Sequence, residues 1–311
     1  MLLVAIAELQ GNVARVARAD GVRRGGVVMV ALVIAACAER RGEIASTSSS
    51  ACTDTTASAC ASAVTSTPAL TPTPTSTPTL TLTPTPLPPD HWCTETLSAL
   101  DDSTCYVVPD HLASPRSLVI YLHGVIAPTG RTQRVYQQIV ANRARARGFV
   151  ALMPRGRRGI GPKNIKDWWA WPTSADAHLR YGKELMASWN DEKRRLEEIL
   201  GAPFERTYLA GSSNGAYFVA ILALKGEYIA DGFGAMSGGN AAGRSKDTIA
   251  RAPRPPFYVG WGGQDDTHDD PKSLAALLVQ AGWPSKSAEH PVGHGAREVY
   301  LDEAFDFWTS H

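Results

Sequence analysis

Cysteine is scarce and badly placed for chemistry. The five cysteines of the 311-residue chain, Cys37, Cys52, Cys60, Cys93 and Cys105, all lie at or before position 105. The later two-thirds therefore holds neither a thiol nucleophile nor a thiolate metal site. Charge of one sign is also missing: 31 basic residues against 30 acidic give a net +1. A nucleic-acid binder shows a basic excess, so no nucleic-acid partner is expected. Long hydrophobic runs are wanting too, since the apolar run Val27 to Ala36 extends for only about ten residues, half of what a bilayer-spanning helix needs.

That short run reads as a signal-peptide core. Arg23 and Arg24 precede it, and Ile34-Ala35-Ala36-Cys37 follows the pattern of a bacterial lipoprotein cleavage site, in which small residues admit the peptidase and the cysteine thiol receives the lipid. Residues 1-37 are accordingly expected to be a signal segment. Membrane attachment through lipidated Cys37 would make the mature chain an envelope lipoprotein; without lipidation it would be secreted. From Ile44 to Pro89 the chain is almost wholly Ser, Thr, Ala and Pro. Alternating prolines remove amide donors, and almost nothing apolar is left to bury, so 38-90 is expected to be a disordered spacer rather than a packed unit. Cys52 and Cys60 fall within it, with pairing or freedom both open.

The globular part is 91-311, enough for one α/β domain. Apolar runs of β type occur at Tyr106 to Val108, Leu118 to Leu122, Phe149 to Met153, Thr207 to Ala210, Gly232 to Met236 and Pro256 to Trp261, and a last strand is expected near Ser287 to His290. Helical segments fall between several of them: Gln133 to Arg147, Lys183 to Leu200, Ala216 to Lys225, Pro271 to Ala281 and Arg297 to Trp308. Continuous apolar strands alternating with amphipathic helices predict an α/β fold, a mostly parallel central sheet with helices on both faces. Cys93 and Cys105 bracket the start of this part and are disulfide candidates across a short loop.

The chemistry centres on Gly211-Ser212-Ser213-Asn214-Gly215. An apolar strand precedes it and a helix-forming run follows, the setting of a nucleophile elbow. Such a turn forces the serine into a strained conformation, and the flanking glycines remove side chains that would collide. A serine hydroxyl needs a base, an acid to orient the base, and donors for the oxyanion. Gly262-Gly263-Gln264-Asp265-Asp266 delivers carboxylates after one strand, and Pro291-Val292-Gly293-His294-Gly295 delivers an imidazole after the last. Ser213, Asp265 and His294 thus follow in the chain order Ser, Asp, His. Asp265 fits the Gly-x-x-Asp turn from Gly262, with Asp266 as the alternative acid. His290 falls inside a strand and is set aside as the base. The oxyanion donors are expected from the Asn214 N–H at the helix start and the Val125 N–H, in the loop after Leu122-His123-Gly124. His123, at that strand's end, is read as a brace for the loop.

From about Tyr106 onward the chain resembles the α/β-hydrolases. Leu122-His123-Gly124 together with Gly211-Ser212-Ser213-Asn214-Gly215-Ala216-Tyr217 is similar to the secreted polyhydroxybutyrate depolymerases and the feruloyl or acetylxylan esterases. Members of that group often carry a cysteine after the His-Gly pair, where Val125 stands here. The resemblance implies hydrolysis of a carboxylic ester through an acyl-serine, with no metal or organic cofactor. The expected partner is a small-molecule or polymeric ester substrate, and the chain is expected to be a monomer. A serine peptidase would use the same triad, but such enzymes usually carry a large further domain. A catalytically inactive binding module on the same fold is the rival from another class.

Trp168, Trp169 and Trp171, in the irregular stretch Pro154 to Tyr181, either stack on substrate or pin the loop to its own domain. Gly156 to Lys163 lacks the glycine and hydroxyl of a phosphate loop. The run Asp265 to Asp270 lacks the ligand spacing of a calcium or zinc site and reads as a solvated acidic loop.

Overall fold

A computed structural model describes residues 92–129, 131–161, 163–241, 243, 244, 249 and 254–311. The signal segment, Cys37, the spacer, Cys52 and Cys60 lie outside them. Strands β1 (Ser98–Ala99), β2 (Thr104–Val107), β3 (Ser117–Leu122), β4 (Val150–Pro154), β5 (Arg206–Ser212), β6 (Gly232–Met236), β7 (Phe257–Gly262) and β8 (Ser285–His290) form one sheet. Its order is β1-β2-β4-β3-β5-β6-β7-β8. β2 pairs antiparallel with both β1 and β4, and every pairing from β4 to β8 is parallel. The helices are α1 (Thr132–Arg147), α2 (Ala175–Leu200), α3 (Asn214–Lys225), α4 (Asp269–Gln280) and α5 (Glu298–Thr309).

The two-residue period of β3 explains why both faces must be covered. Leu118, Ile120 and Leu122 point into a core with Trp189 and Leu196 of α2, Phe218 of α3 and Leu274 of α4. Val119 and Tyr121 point into a second core with Val140 of α1 and Tyr300, Phe305 and Trp308 of α5. All six residues of β3 are buried, as a central strand between two helical layers requires. α3 is buried nearly all round because it lies across the sheet centre, whereas α1, α2 and α3 all end on a left-handed glycine, Gly148, Gly201 and Gly226.

The expected helix from Lys183 begins two turns earlier, at Ala175. Ser174 caps it, its hydroxyl accepting from the Ala177 N–H at 3.3 Å. At the other end of the domain, Cys93 and Cys105 are joined as a disulfide with Cα atoms 5.4 Å apart. Gln137 of α1 ties the same segment down, accepting from Thr94 N–H at 2.8 Å and donating to Trp92 O at 2.9 Å. Among the described residues no helix is long and apolar enough to cross a membrane.

Candidate active site

Ser213 links β5 to α3 at φ 51° and ψ −121°, the strained geometry expected of an elbow. The glycines make the turn possible. A methyl group on Gly215 would collide with the Leu122 carbonyl oxygen and lie 2.7 Å from that of His123; one on Gly211 would lie 2.6 Å from the Gly215 carbonyl carbon. The Ser213 N–H is spent on Met236 O at 2.9 Å, which fixes the elbow to β6.

Asp265 follows β7, where its loop is seated against the loop that carries His294. Gly262 packs so tightly on the Val292 carbonyl that no side chain would fit, and the Gln264 N–H donates to Val292 O at 3.0 Å. The two loops therefore deliver acid and base to one point. His294 Nδ1 lies 2.7 Å from Asp265 Oδ2, and His294 Nε2 lies 2.9 Å from Ser213 Oγ. The other carboxylate oxygen of Asp265 accepts from the Thr267 N–H at 2.9 Å and from its hydroxyl at 2.8 Å. Burial alone would raise the Asp265 pKa, but the Thr267 N–H, the His294 contact and the Thr267 hydroxyl outweigh it and hold the carboxyl below its ordinary range. Asp266 is exposed and makes no such contact. His290 sits 3.3 Å from Glu303 Oε2 and edge-on to Tyr300. Ser213 is partly exposed and the His294 side chain 44% exposed, so the reacting groups meet solvent at the rim of the sheet.

The loop after β3 comes right up to the nucleophile: a methyl group on Gly124 would stand 3.1 Å from Ser213 Cβ. Among the described residues neither the Val125 N–H nor the Asn214 N–H meets a protein acceptor. His123 braces this loop from below. Its Nε2 accepts the Gly156 N–H at 2.9 Å, which leaves the proton on Nδ1 to donate to Gly124 O. Burial lowers its pKa to about 4, with the neighbouring Arg155 charge acting the same way and the Gly124 bond opposing. It is a neutral strut, not a base.

The tryptophans divide, and for Trp171 the substrate-contact reading is corrected. Trp171 is fully buried, packed on Trp189 and Phe218, and its Nε1 donates to His123 O at 2.7 Å. Its own N–H donates to Asn214 Oδ1 at 2.6 Å, so it locks the loop to the residue beside the nucleophile. An apolar ring with that many core partners cannot turn outward to a ligand. Trp169 pairs by backbone with Ile126 and lies under the Arg155 and Arg158 guanidiniums. Trp168 stays partly exposed.

Ser237, Arg297 and Thr267 complete the site without having been expected. Ser237 is fully buried at φ 48°; its N–H donates to Gly260 O at 2.7 Å and its hydroxyl to Gly295 O at 2.8 Å. Arg297 donates to Gly293 O at 3.3 Å and His294 O at 3.4 Å. Together they hold the loop that carries the imidazole. Only Thr267 left a readable trace, as the hydroxyl two residues beyond an aspartate in a turn.

By its strand order and the turn that carries Ser213, the chain has an α/β-hydrolase fold with a Ser–His–Asp chain at the C-terminal ends of its parallel strands. No family model matches the sequence, and no curated protein matches it either. Among solved structures the chain is similar to the esterase PE8, at a TM-score of 0.48 and 19% identity over 67% of this chain and 98% of that one. It is similar also to SOBER1 of Arabidopsis thaliana, at a TM-score of 0.49 and 15% identity over 63% and 98%. A third is FphF, a fluorophosphonate-binding serine hydrolase of Staphylococcus aureus, at a TM-score of 0.44 and 15% identity over 67% and 91%.

Proposed function

We propose that the chain is an extracytoplasmic serine esterase, cleaving carboxylic esters of polyester or plant-cell-wall type through an acyl-serine. The observation that carries this reading is the unbroken hydrogen-bonded chain Ser213 Oγ to His294 Nε2 at 2.9 Å and His294 Nδ1 to Asp265 Oδ2 at 2.7 Å. The ionised Asp265 holds the proton on Nδ1, leaving Nε2 as the acceptor for the serine proton. As Ser213 attacks the ester carbonyl, His294 takes that proton and the Val125 and Asn214 N–H groups receive the charge on the carbonyl oxygen. The imidazolium then returns the proton to the departing alcohol. Water repeats the sequence on the acyl-serine, giving the carboxylic acid and free Ser213. Every proton and leaving group is accounted for by these side chains, with no cofactor in the scheme.

The exposed position of Ser213 and His294 suits a bulky or polymeric ester better than a small one that would need enclosure. Export is supported by Arg23, Arg24, the apolar run from Val27 and the cysteine at 37. The test is a fluorophosphonate probe on the folded full-length protein, alongside turnover of p-nitrophenyl acyl esters. Labelling and turnover that both vanish in Ser213→Ala support the esterase. Absence of labelling in folded wild-type protein would overturn it in favour of an inactive binding module.

A further inference from the structure

Basic residues are concentrated beside the site. Residues 155–183 contain seven lysines and arginines against two aspartates, in a chain whose total charge is only +1. Three of them, Arg155, Arg157 and Arg158, line a cavity of about 320 Å³ at the C-terminal end of β4, together with Trp169 and Glu192. Small-molecule sites begin at about this size. Arg155 is the telling member. Its guanidinium is half-buried and lies 4.2 Å over Trp169 and 5.6 Å from the Trp92 ring, yet among the described residues it makes no hydrogen bond and no ion pair. Arg157 is paired with Glu184 at 2.8 Å and stacked on Tyr181, and Arg158 donates to Asp167 O at 2.7 Å. Glu184 on the wall is already engaged by Arg157, burial raises the pKa of Glu192 to about 7 so that it is neutral below that pH, and Asp101 and Asp102 act on Arg155 through their charge without a hydrogen bond or ion pair to it. A planar fork of donors, desolvated on one side by aromatic rings and without an acceptor, fits a carboxylate.

The cavity is coupled to the reaction centre by short links. Gly156 on its wall donates to His123, and Trp169 exchanges backbone bonds of 2.9 and 3.0 Å with Ile126, the residue after Val125. β4 stands two strands away from β5 in the sheet, which places the cavity roughly 10 Å from the nucleophile's strand.

We propose that this cavity is a subsite for an anionic group of the substrate, Arg155 being its specificity determinant, so that the preferred esters carry a carboxylate on a chain long enough to span at least the roughly 10 Å between β4 and β5. Oligomers of hydroxy acids, which end in a free carboxylate, and acid-bearing polysaccharides have that chemistry. The inference rests on the esterase reading.

The test compares the full-length protein on p-nitrophenyl hydrogen suberate, whose far end is a carboxylate, with its neutral terminal-amide counterpart, and repeats the pair for the shorter succinate. The suberate acid should be preferred in kcat/KM by about tenfold, the yield of one charge-assisted hydrogen bond, and the succinate pair should show no such preference. Arg155→Met should bring acid and amide to the same kcat/KM, and Arg155→Lys, which keeps the charge but not the planar fork, should retain part of the preference. Raising salt from about 0.01 M to about 1 M, which shortens the screening length from about 30 Å to about 3 Å, should erode it in the wild type, a measurement that needs no variant. Equal rates on acid and amide overturn the subsite and leave the esterase standing. A preference that persists in Arg155→Met or ignores salt also overturns it, and failure to cleave either ester overturns both readings.

Discussion

Raising the pH from about 5 to about 8 should weaken the folded state through Glu192, and Glu192→Gln should remove that part of the loss. Glu192 lies in α2, 8% exposed, and its Oε2 has no hydrogen-bond partner. Burial is the main cause that raises its pKa from the ordinary 4.5 to about 7; Asp101 and Asp191 add to it, while Thr104 and Arg195 oppose it. In the unfolded chain the carboxyl ionises near 4.5, so between that value and about 7 the folded state holds a proton that the unfolded state has lost. Stability is then greatest below 4.5 and falls as the pH rises through 7. At about 1.4 kcal/mol per pH unit of difference, the ionised carboxyl costs about 3 kcal/mol above pH 7. For a domain of this size that is about 6 to 12 °C in Tm. The assay is urea unfolding of wild type and Glu192→Gln across this range. All other groups are common to both proteins, so the difference between the two curves isolates Glu192. Two parallel curves would refute the reasoning, because a carboxyl that stays solvated pulls no stability with it.

Asp265→Asn should lower kcat about 10⁴-fold, because an amide cannot hold the imidazole in the needed tautomer, while Asp266→Asn leaves it unchanged; equal effects would reverse the assignment of the acid. Ser237→Ala should reduce kcat about tenfold by releasing the Gly295 carbonyl, and Ser237→Gly, which relieves the positive φ, should regain stability without regaining kcat. Recovery of both in the glycine variant would make Ser237 merely structural. Gly215→Ala should destabilise the fold by about 3 kcal/mol or more, since its methyl group meets carbonyl oxygens of β3 and His123 rather than a movable side chain; a thermal melt indistinguishable from wild type would count against the described elbow.

The sheet was legible because its central strands are apolar on both faces, and a strand such as Ser117–Leu122 needs no partner information to be recognised. The turn around Ser213 and the order of serine, acid and base were legible for a different reason: backbone strain demands glycine at fixed positions. The first two turns of α2 were not. Leu179 is 85% exposed and Gly182 is buried, so polarity along Ala175–Gly182 runs against the expected helical stripe. Trp171 was equally opaque. Its place in the core depends on Trp189 and Phe218, which arrive from two other helices, and nothing within the loop itself distinguishes it from the partly exposed Trp168.

Ser213 and Ser237 are the described non-glycine residues with positive φ, and they occupy the ends of neighbouring parallel strands. Each such conformation costs on the order of 1 to 3 kcal/mol, so something must hold both. The bonds that do so run in strand order: Ser213 N–H to Met236 O at the end of β6, Ser237 N–H to Gly260 O in β7, and Ser237 hydroxyl to Gly295 O beside the imidazole. Strand β7 then leads directly to Asp265. Nucleophile, acid and base are thereby tied to one another through three main-chain carbonyls, besides the two hydrogen bonds between their own side chains. This is why a residue that touches neither substrate nor triad, Ser237, is expected to govern turnover. Strain at the nucleophile alone would expose a hydroxyl; strain at both strand ends, cross-bonded, also fixes where the base must stand to receive its proton.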